Sequence, residues 1–384
     1  MFFISKFLPY GKQTIDDEDI EEVVNTLKSS LITQGPKIDE FEKDIAKYCG
    51  AKYAVAFNSG TSALHGAYFA LGIGKGDEVI TSPNTFVATS NAALYLGADV
   101  NFGDVELETG NLDPSKIEIS DETKLISPVH YSGQPVDLKE FSEIAEDNDV
   151  KLFEDGAHAL GAKYNCKKIG SLTYSEMAMF SFHPVKHITT GEGGIIVTND
   201  EEYYERLKLF RSHGITKSNL VNESHGDWYY EMQELGFNYR ITDIQCALGI
   251  SQLKKLDLFI KSRRNIAKTY DEIFEDNPYF DVINEKENRE SAYHLYPILL
   301  KDKFINNKSE IFAKLRQEGI GVQVHYIPVY KQPYYQNLGF GKELCPICEE
   351  FYKKEISIPM YPTLTDEDIE FVKDKLFKVI SEFD

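Results

Sequence analysis

A lysine that follows an apolar strand into a polar loop can do covalent chemistry. Met177 to Gly194, MAMFSFHPVKHITTGEGG, holds one at Lys186, between His183 and His187. A free amine at a strand's carboxyl end can add to a carbonyl and carry a proton to and from carbon, and that end is where α/β proteins place their ligands. Taken singly, Lys186 reads equally as a surface residue on a connection. Asp155 shifts the balance. It follows the hydrophobic run Lys151 to Glu154, precedes Gly156, and so projects from a second strand's carboxyl end. A carboxylate there favours the protonated form of a pyridine nitrogen, the form that draws electrons from a bound carbon. The plain alternative is a helix cap or turn residue.

Other residues converge on the same edge. In NSGTSA, Asn58 to Ala63, Gly60 lets the backbone come close, while Thr61 and Ser62 present hydroxyls and N–H groups at the start of the helical run Leu64 to Leu71. That is an anion site or an ordinary N-cap. Phe86 opens a helix after Ser82 to Thr85 and is able to lie flat on a ring held nearby, or to pack in the core. His158, one turn past Asp155, and Ser181, five residues before Lys186, are ambiguous singly: His158 is able to bond a ring hydroxyl and Ser181 a phosphate, or each to serve the fold alone.

The elements that position these residues form an α/β pattern. Short apolar runs alternate with amphipathic ones from about residue 50, which predicts a doubly wound, mostly parallel sheet covered by helices. The seven strands expected are Tyr53 to Phe57, Glu78 to Ser82, Val100 to Phe102, Leu125 to Val129, Val150 to Phe153, Met177 to Phe182 and Gly194 to Val197. Helices are expected at Ser62 to Leu71, Thr85 to Leu96 and Leu138 to Asp147. Beyond Arg240 the spacing of Ile241, Ile244, Leu248, Leu253 and Leu256 predicts one long helix toward Tyr270 that leads out of the large domain. A smaller α+β domain follows, with strands at Tyr293 to Leu300 and Gly321 to Tyr326 and helices at Ser309 to Gln317 and Asp366 to Ile380. The chain thus divides into a large domain, 1–250, and a small one, 251–384, a division that suits 384 residues.

Composition excludes several classes. With 41 Lys and Arg against 62 Asp and Glu, the formal charge of −21 repels nucleic acid and anionic membrane surfaces. The 5 cysteines, Cys49, Cys166, Cys246, Cys345 and Cys348, are odd in number and scattered, which argues against a disulfide framework and for a reducing cytoplasm. Cys345 and Cys348 form a lone Cys-x-x-Cys with no second pair, so no metal is expected. Met1 to Leu8 is short, is interrupted by Lys6 and lacks a small-residue cleavage site, so it does not read as a signal peptide. No apolar run approaches the length of a membrane helix.

With these motifs in order, the chain resembles the DegT/DnrJ/EryC1/StrS sugar aminotransferases, fold type I enzymes that use pyridoxal 5′-phosphate. The resemblance covers nearly the whole chain: LITQGPKIDEFE (31–42), NSGTSAL (58–64), TSPNTFVATSNA (81–92), EDGAHALGA (154–162), SFHPVKHITTGEGG (181–194), LFRSHG (209–214) and LGFNYRITDIQCALG (235–249). It implies Lys186 as the lysine that carries the cofactor, Asp155 as partner of the ring nitrogen, Phe86 as the stacking ring, and Thr61, Ser62 and Ser181 at the phosphate. His158 stands where many relatives have Gln. Asn238 would reach the phosphate of the neighbouring subunit's cofactor, which implies a homodimer with shared sites. SAYHLYPILL (291–300), GVQVHYIPVYKQPYY (321–335) and FYKKEISIPMYP (351–362) look like the subgroup that aminates C4 of a UDP-linked 4-keto-6-deoxy-L-sugar on the way to pseudaminic acid. There His325 and Tyr326 face either the sugar nucleotide or the inside of a small-domain strand.

The activity this implies is amino transfer, with L-glutamate as donor and Lys186 as anchor and acid/base. Arg240 is a candidate for the donor's carboxylate. The rival on the same fold is a sugar dehydratase, whose family pattern puts His in place of the lysine; Lys186 is intact. A non-catalytic binding protein would be expected to lose Asp155 or Lys186, and both are present.

Overall fold

The computed structural model describes residues 6–384, so the segment Met1 to Leu8 lies largely outside the described residues. The large sheet has seven strands: β1 (Tyr53–Phe57), β2 (Glu78–Thr81), β3 (Asp99–Phe102), β4 (Thr123–Ser127), β5 (Lys151–Asp155), β6 (Met177–Ser181) and β7 (Gly194–Thr198). Their order is β1-β7-β6-β5-β4-β2-β3. From β6 to β3 the pairs are parallel, and β7 runs antiparallel to both β6 and β1. Each of the seven strands expected in this sheet is present within two residues at its ends. Met177, Ala178, Met179 and Phe180 of β6 are all buried, as an unbroken apolar run inside a sheet covered on both faces requires.

Two of the motifs that carry the resemblance are clamps on the fold. Asp243 is fully buried at the start of α7 (Asp243–Leu253), and its carboxylate accepts from the N–H groups of Gly35, at 2.7 Å, and Lys37, at 2.9 Å. Thr33 bridges Thr242 alongside. GPKIDEFE and RITDIQ therefore meet, and the carboxylate completes the N-terminus of α2 (Pro36–Cys49), whose N-cap is a glycine with no side chain to offer.

Three expectations fail. The long helix past Arg240 is two helices, α7 and α8 (Leu256–Phe274). At the junction the Lys255 N–H bonds the Gln252 carbonyl, and the Lys255 ammonium is drawn to Asp16 at 2.6 Å and Asp19 at 2.8 Å. Gly321 to Tyr326 is not a strand. Only Gln323 pairs, with Ser357, before the backbone turns away, because the His325 N–H bonds Glu355 and the Tyr326 N–H bonds Asn84. The helix that Phe86 was to open starts at Ala88, since Pro83 and Asn84 are tied to the C-terminal part of the chain.

The C-terminal part has its own three-stranded sheet, in the order β8 (Phe280–Val282), β9 (Tyr296–Leu300), β10 (Glu355–Ile358). Its core joins Ile266, Tyr270 and Phe274 of α8 to Val372 and Leu376 of the last helix, Asp366–Ser381. Val329, Tyr330, Tyr335, Cys345 and Cys348 instead pack with the core of the large sheet. Burial among apolar groups pushes the Cys345 thiol up to about 12. Among the described residues no helix is long and apolar enough to cross a membrane.

Candidate active site

A cavity of about 680 Å³ opens at the carboxyl ends of β5 and β6 and is closed on the far side by residues 323–327. Its floor begins with the helix α3 (Gly60–Ala70). Ser59 caps this helix: its Oγ accepts from the Ser62 N–H at 3.1 Å, and the Ser62 Oγ accepts from the Ser59 N–H at 3.1 Å. The Ser62 hydroxyl also donates to Asn58 Oδ1 at 2.7 Å. Ser62 is thus buried in the cap and its side chain does not line the cavity. The N–H groups of Gly60 and Thr61 take no partner among the described residues and stand at the positive end of the helix dipole. Thr61, Ser59 and Ser181 line the same corner. The corner depends on close backbone packing, since a Cβ on Gly194 would lie 2.7 Å from the Gly60 Cα.

Asp155 lies deeper, at the end of β5. Its Oδ2 accepts from Thr89 Oγ1 at 2.7 Å and its Oδ1 from the Ala157 N–H at 3.0 Å. Burial pushes its carboxyl up, while these two bonds and the charge on Lys186 hold it down. Across the cavity burial brings Lys186 down to about 7, against the opposing attraction of Asp155. A substantial fraction of this amine is therefore unprotonated at neutral pH. Phe86 borders the cavity with its side chain 61% exposed, where a flat ligand could lie against the ring.

On the remaining wall the sequence had singled out His158, His325 and Tyr326 but not His294. His294 Nε2 is 3.4 Å from Lys186 Nζ, and its ring lies 4.3 Å from that of His158. His158 Nε2 bonds the Tyr326 hydroxyl at 3.1 Å. Burial and the nearby Lys186 charge hold His158 and His294 well below the usual histidine range, so both rings are neutral. The Nδ1 atoms of both are buried with no partner among the described residues, a cost that proteins tolerate mainly where a site is used. His325 also borders the cavity. The signal that could have found His294 is its place in SAYHLYP, just before a strand. Nothing in the sequence pointed to Thr89 as the residue orienting Asp155.

The structure thus brings together Thr61, Phe86, Asp155, His158, Ser181, Lys186, His325 and Tyr326 around one cavity. It leaves Ser62 in the cap and places Asn238 and Arg240 outside. Asn238 is exposed on a segment beside the end of β1, where Tyr239 pairs with Asn58 and Arg240 bridges Phe57. The donor set fits pyridoxal phosphate: an anion corner at a helix start, a buried carboxylate, an amine opposite it and an uncovered aromatic ring.

A lysine and an aspartate at adjacent strand ends of this sheet are the arrangement of a fold type I pyridoxal-phosphate enzyme. The chain belongs to the DegT/DnrJ/EryC1/StrS aminotransferase family, whose model matches residues 13–377. It is 45% identical over 378 residues, 97% of each chain, to the UDP-4-amino-4,6-dideoxy-N-acetyl-beta-L-altrosamine transaminase of Campylobacter jejuni. Among solved structures, Helicobacter pylori PseC, an aminotransferase involved in the biosynthesis of pseudoaminic acid, is 36% identical with a TM-score of 0.92 and covers 98% of this chain and 100% of its own. The PLP-form of a putative sugar aminotransferase, Spr1654 from Streptococcus pneumoniae, is 29% identical with a TM-score of 0.92, covering 98% and 99%.

Proposed function

We propose that this chain is a pyridoxal-phosphate aminotransferase that moves an amino group from L-glutamate to C4 of a UDP-linked 4-keto-6-deoxy-N-acetyl-L-sugar, the UDP-4-amino-4,6-dideoxy-N-acetyl-β-L-altrosamine transaminase reaction of pseudaminic acid synthesis. The observation that carries the reaction class is the convergence of Asp155 and Lys186 on one cavity. The substrate follows from the likeness to the Campylobacter transaminase.

Bound here, pyridoxal phosphate supplies an electron sink conjugated to the substrate nitrogen. Lys186 is its anchor, and once released from that role the Nζ amine takes a proton from the donor's α-carbon and returns it on the other side of the reaction. His294 Nε2 is within reach to orient that amine. Asp155, held by Thr89 and Ala157, keeps a negative charge at the ring nitrogen. The N–H groups of Gly60 and Thr61 and the hydroxyls of Thr61 and Ser181 would hold the phosphate, Phe86 would lie against the ring, and His158 would bond its hydroxyl. On this reading residues 1–250 hold the cofactor and 251–384 supply the wall against the sugar.

A homodimer with shared sites is part of the same proposal. Trp228 and Leu235 are each 74% exposed and Met232 60%, on the segment that ends at Asn238 and Arg240. Such clustered apolar exposure marks an interaction surface. A reducing cytoplasm suits the free cysteines, four of them buried.

The test is turnover of glutamate with a panel of UDP- and dTDP-4-keto sugars. Turnover of UDP-linked L-sugars with the nitrogen placed at C4 is expected, and turnover confined to dTDP sugars overturns the substrate. For the shared site, mixing Asn238→Ala with Lys186→Ala subunits is expected to restore activity in hybrids.

A further inference from the structure

Behind the cavity a buried carboxylate reaches the site through two side chains. Glu355 and Ser357, both fully buried, lie on the same face of β10, and the Ser357 hydroxyl donates to Glu355 Oε1 at 2.5 Å. That length is in the range for a hydroxyl bonded to an ionised carboxylate. The other oxygen, Oε2, accepts from the His325 N–H at 2.8 Å, and His325 Nδ1 is 2.9 Å from Ser357 Oγ. The His325 carbonyl accepts from the Tyr131 hydroxyl at 2.7 Å. Tyr10 and Tyr326 pack against the imidazole, with ring centroids 5.3 and 4.9 Å away. Main chain and ring are therefore both fixed.

The hydrogens can be counted. A serine hydroxyl has one, and where Glu355 is ionised it goes to that carboxylate. Ser357 Oγ can then only accept from His325, so the ring hydrogen is on Nδ1. Burial brings His325 down to about 3, so the ring is neutral and Nε2 has no hydrogen. Nε2 makes no bond among the described residues and is not sealed in protein, on a residue that borders the cavity.

We propose that His325 is a specificity-determining residue, held by Ser357 and Glu355 as the Nδ1–H tautomer so that Nε2 accepts a hydrogen bond from a hydroxyl or amide N–H of the sugar substrate. Ser357 and Glu355 are positioning residues. The proposal rests on the reading of this cavity as the nucleotide-sugar site, and it adds that the site selects for a hydrogen-bond donor at this point of the sugar.

Two measurements test it. The first needs no substrate: ¹⁵N-histidine spectra at about pH 8.5, above the value of about 7 to which burial raises Glu355, with the His325 signals assigned by their loss in His325→Gln. The expected spectrum has Nδ1 protonated and Nε2 bare, and Ser357→Ala redistributes the hydrogen between them. A wild-type Nε2–H form, or no change in Ser357→Ala, overturns the proposal. The second separates the half-reactions. In Ser357→Ala, KM for the keto-sugar rises about tenfold, the effect of one misdirected hydrogen bond, with the glutamate half-reaction within about twofold. His325→Gln, which keeps an acceptor, retains more sugar turnover than His325→Leu. Equal loss in both half-reactions, or no loss in either, overturns it. Failure of the substrate reading itself would look different, since wild-type protein would then turn over no UDP-linked keto-sugar.

Discussion

The two walls of the cavity are built by different means. On the sheet wall, Asp155 and Ser181 end strands whose backbones are locked in ladders, and Thr61 begins a capped helix. On the opposite wall, His294, His325 and Tyr326 lie outside regular structure and are held by side chains: Arg263 on the His294 carbonyl, Ser357 and Glu355 on His325, and His158 on Tyr326. The first wall carries groups that any reaction of this kind needs. On the proposed function, the second carries the groups that meet the sugar, together with His294 beside the Lys186 amine. Chemistry would then rest mainly on strand and helix ends fixed by backbone hydrogen bonds, and recognition on segments where a side-chain change can re-aim a contact without disturbing a strand.

That contrast can be broken by substitution. Lys186→Ala should do the most, lowering both half-reactions by more than about a thousandfold, because it removes the one group that carries the proton. Borohydride reduction followed by mass mapping should label Lys186 in the parent and nothing in the variant. A loss of tenfold or less would move the base elsewhere. Asp155→Asn should lower both half-reactions about a hundredfold while the yellow cofactor stays bound, since the charge at the ring nitrogen is lost but the phosphate corner is not.

A smaller readout is the acylation of Lys186 in cofactor-free protein. Only the free amine reacts, so labelling should be half-maximal near pH 7, against an ordinary lysine value of 10.5. Burial lowers the value and the charge on Asp155 raises it, so Asp155→Asn should shift the midpoint lower still. An upward shift would contradict this geometry. On the other wall, Tyr326→Phe should raise KM for the keto-sugar about threefold and leave the glutamate half-reaction unchanged, as one hydroxyl bonded to His158 at 3.1 Å is lost. An equal effect on both half-reactions would erase the distinction between the walls.

The same division explains what the sequence could disclose. The strands were legible because buried parallel strands are continuous apolar runs, and Asp155, Ser181 and Lys186 were legible because they follow such runs. Ser62 was misread. A hydroxyl at a helix start serves a cap or an anion equally well from sequence, and only the reciprocal bonds with Ser59 decide between them. Gly321 to Tyr326 was misread because alternating Val and aromatic residues look like a strand, whereas long-range bonds to Glu355 and Asn84 draw the backbone out of the ladder. His294 and Thr89 were missed for the same reason. Each meets its partner across a large sequence separation, and no local pattern records that meeting.

One consequence of the cap at Ser59 and Ser62 concerns inheritance. Because the N–H groups that face the anion corner belong to the main chain of Gly60 and Thr61, most of the corner is encoded by a backbone path. A change of side chain at Thr61 would leave those N–H groups in place, whereas at Gly194 even one methyl group would lie 2.7 Å from the Gly60 Cα and would have to move the backbone.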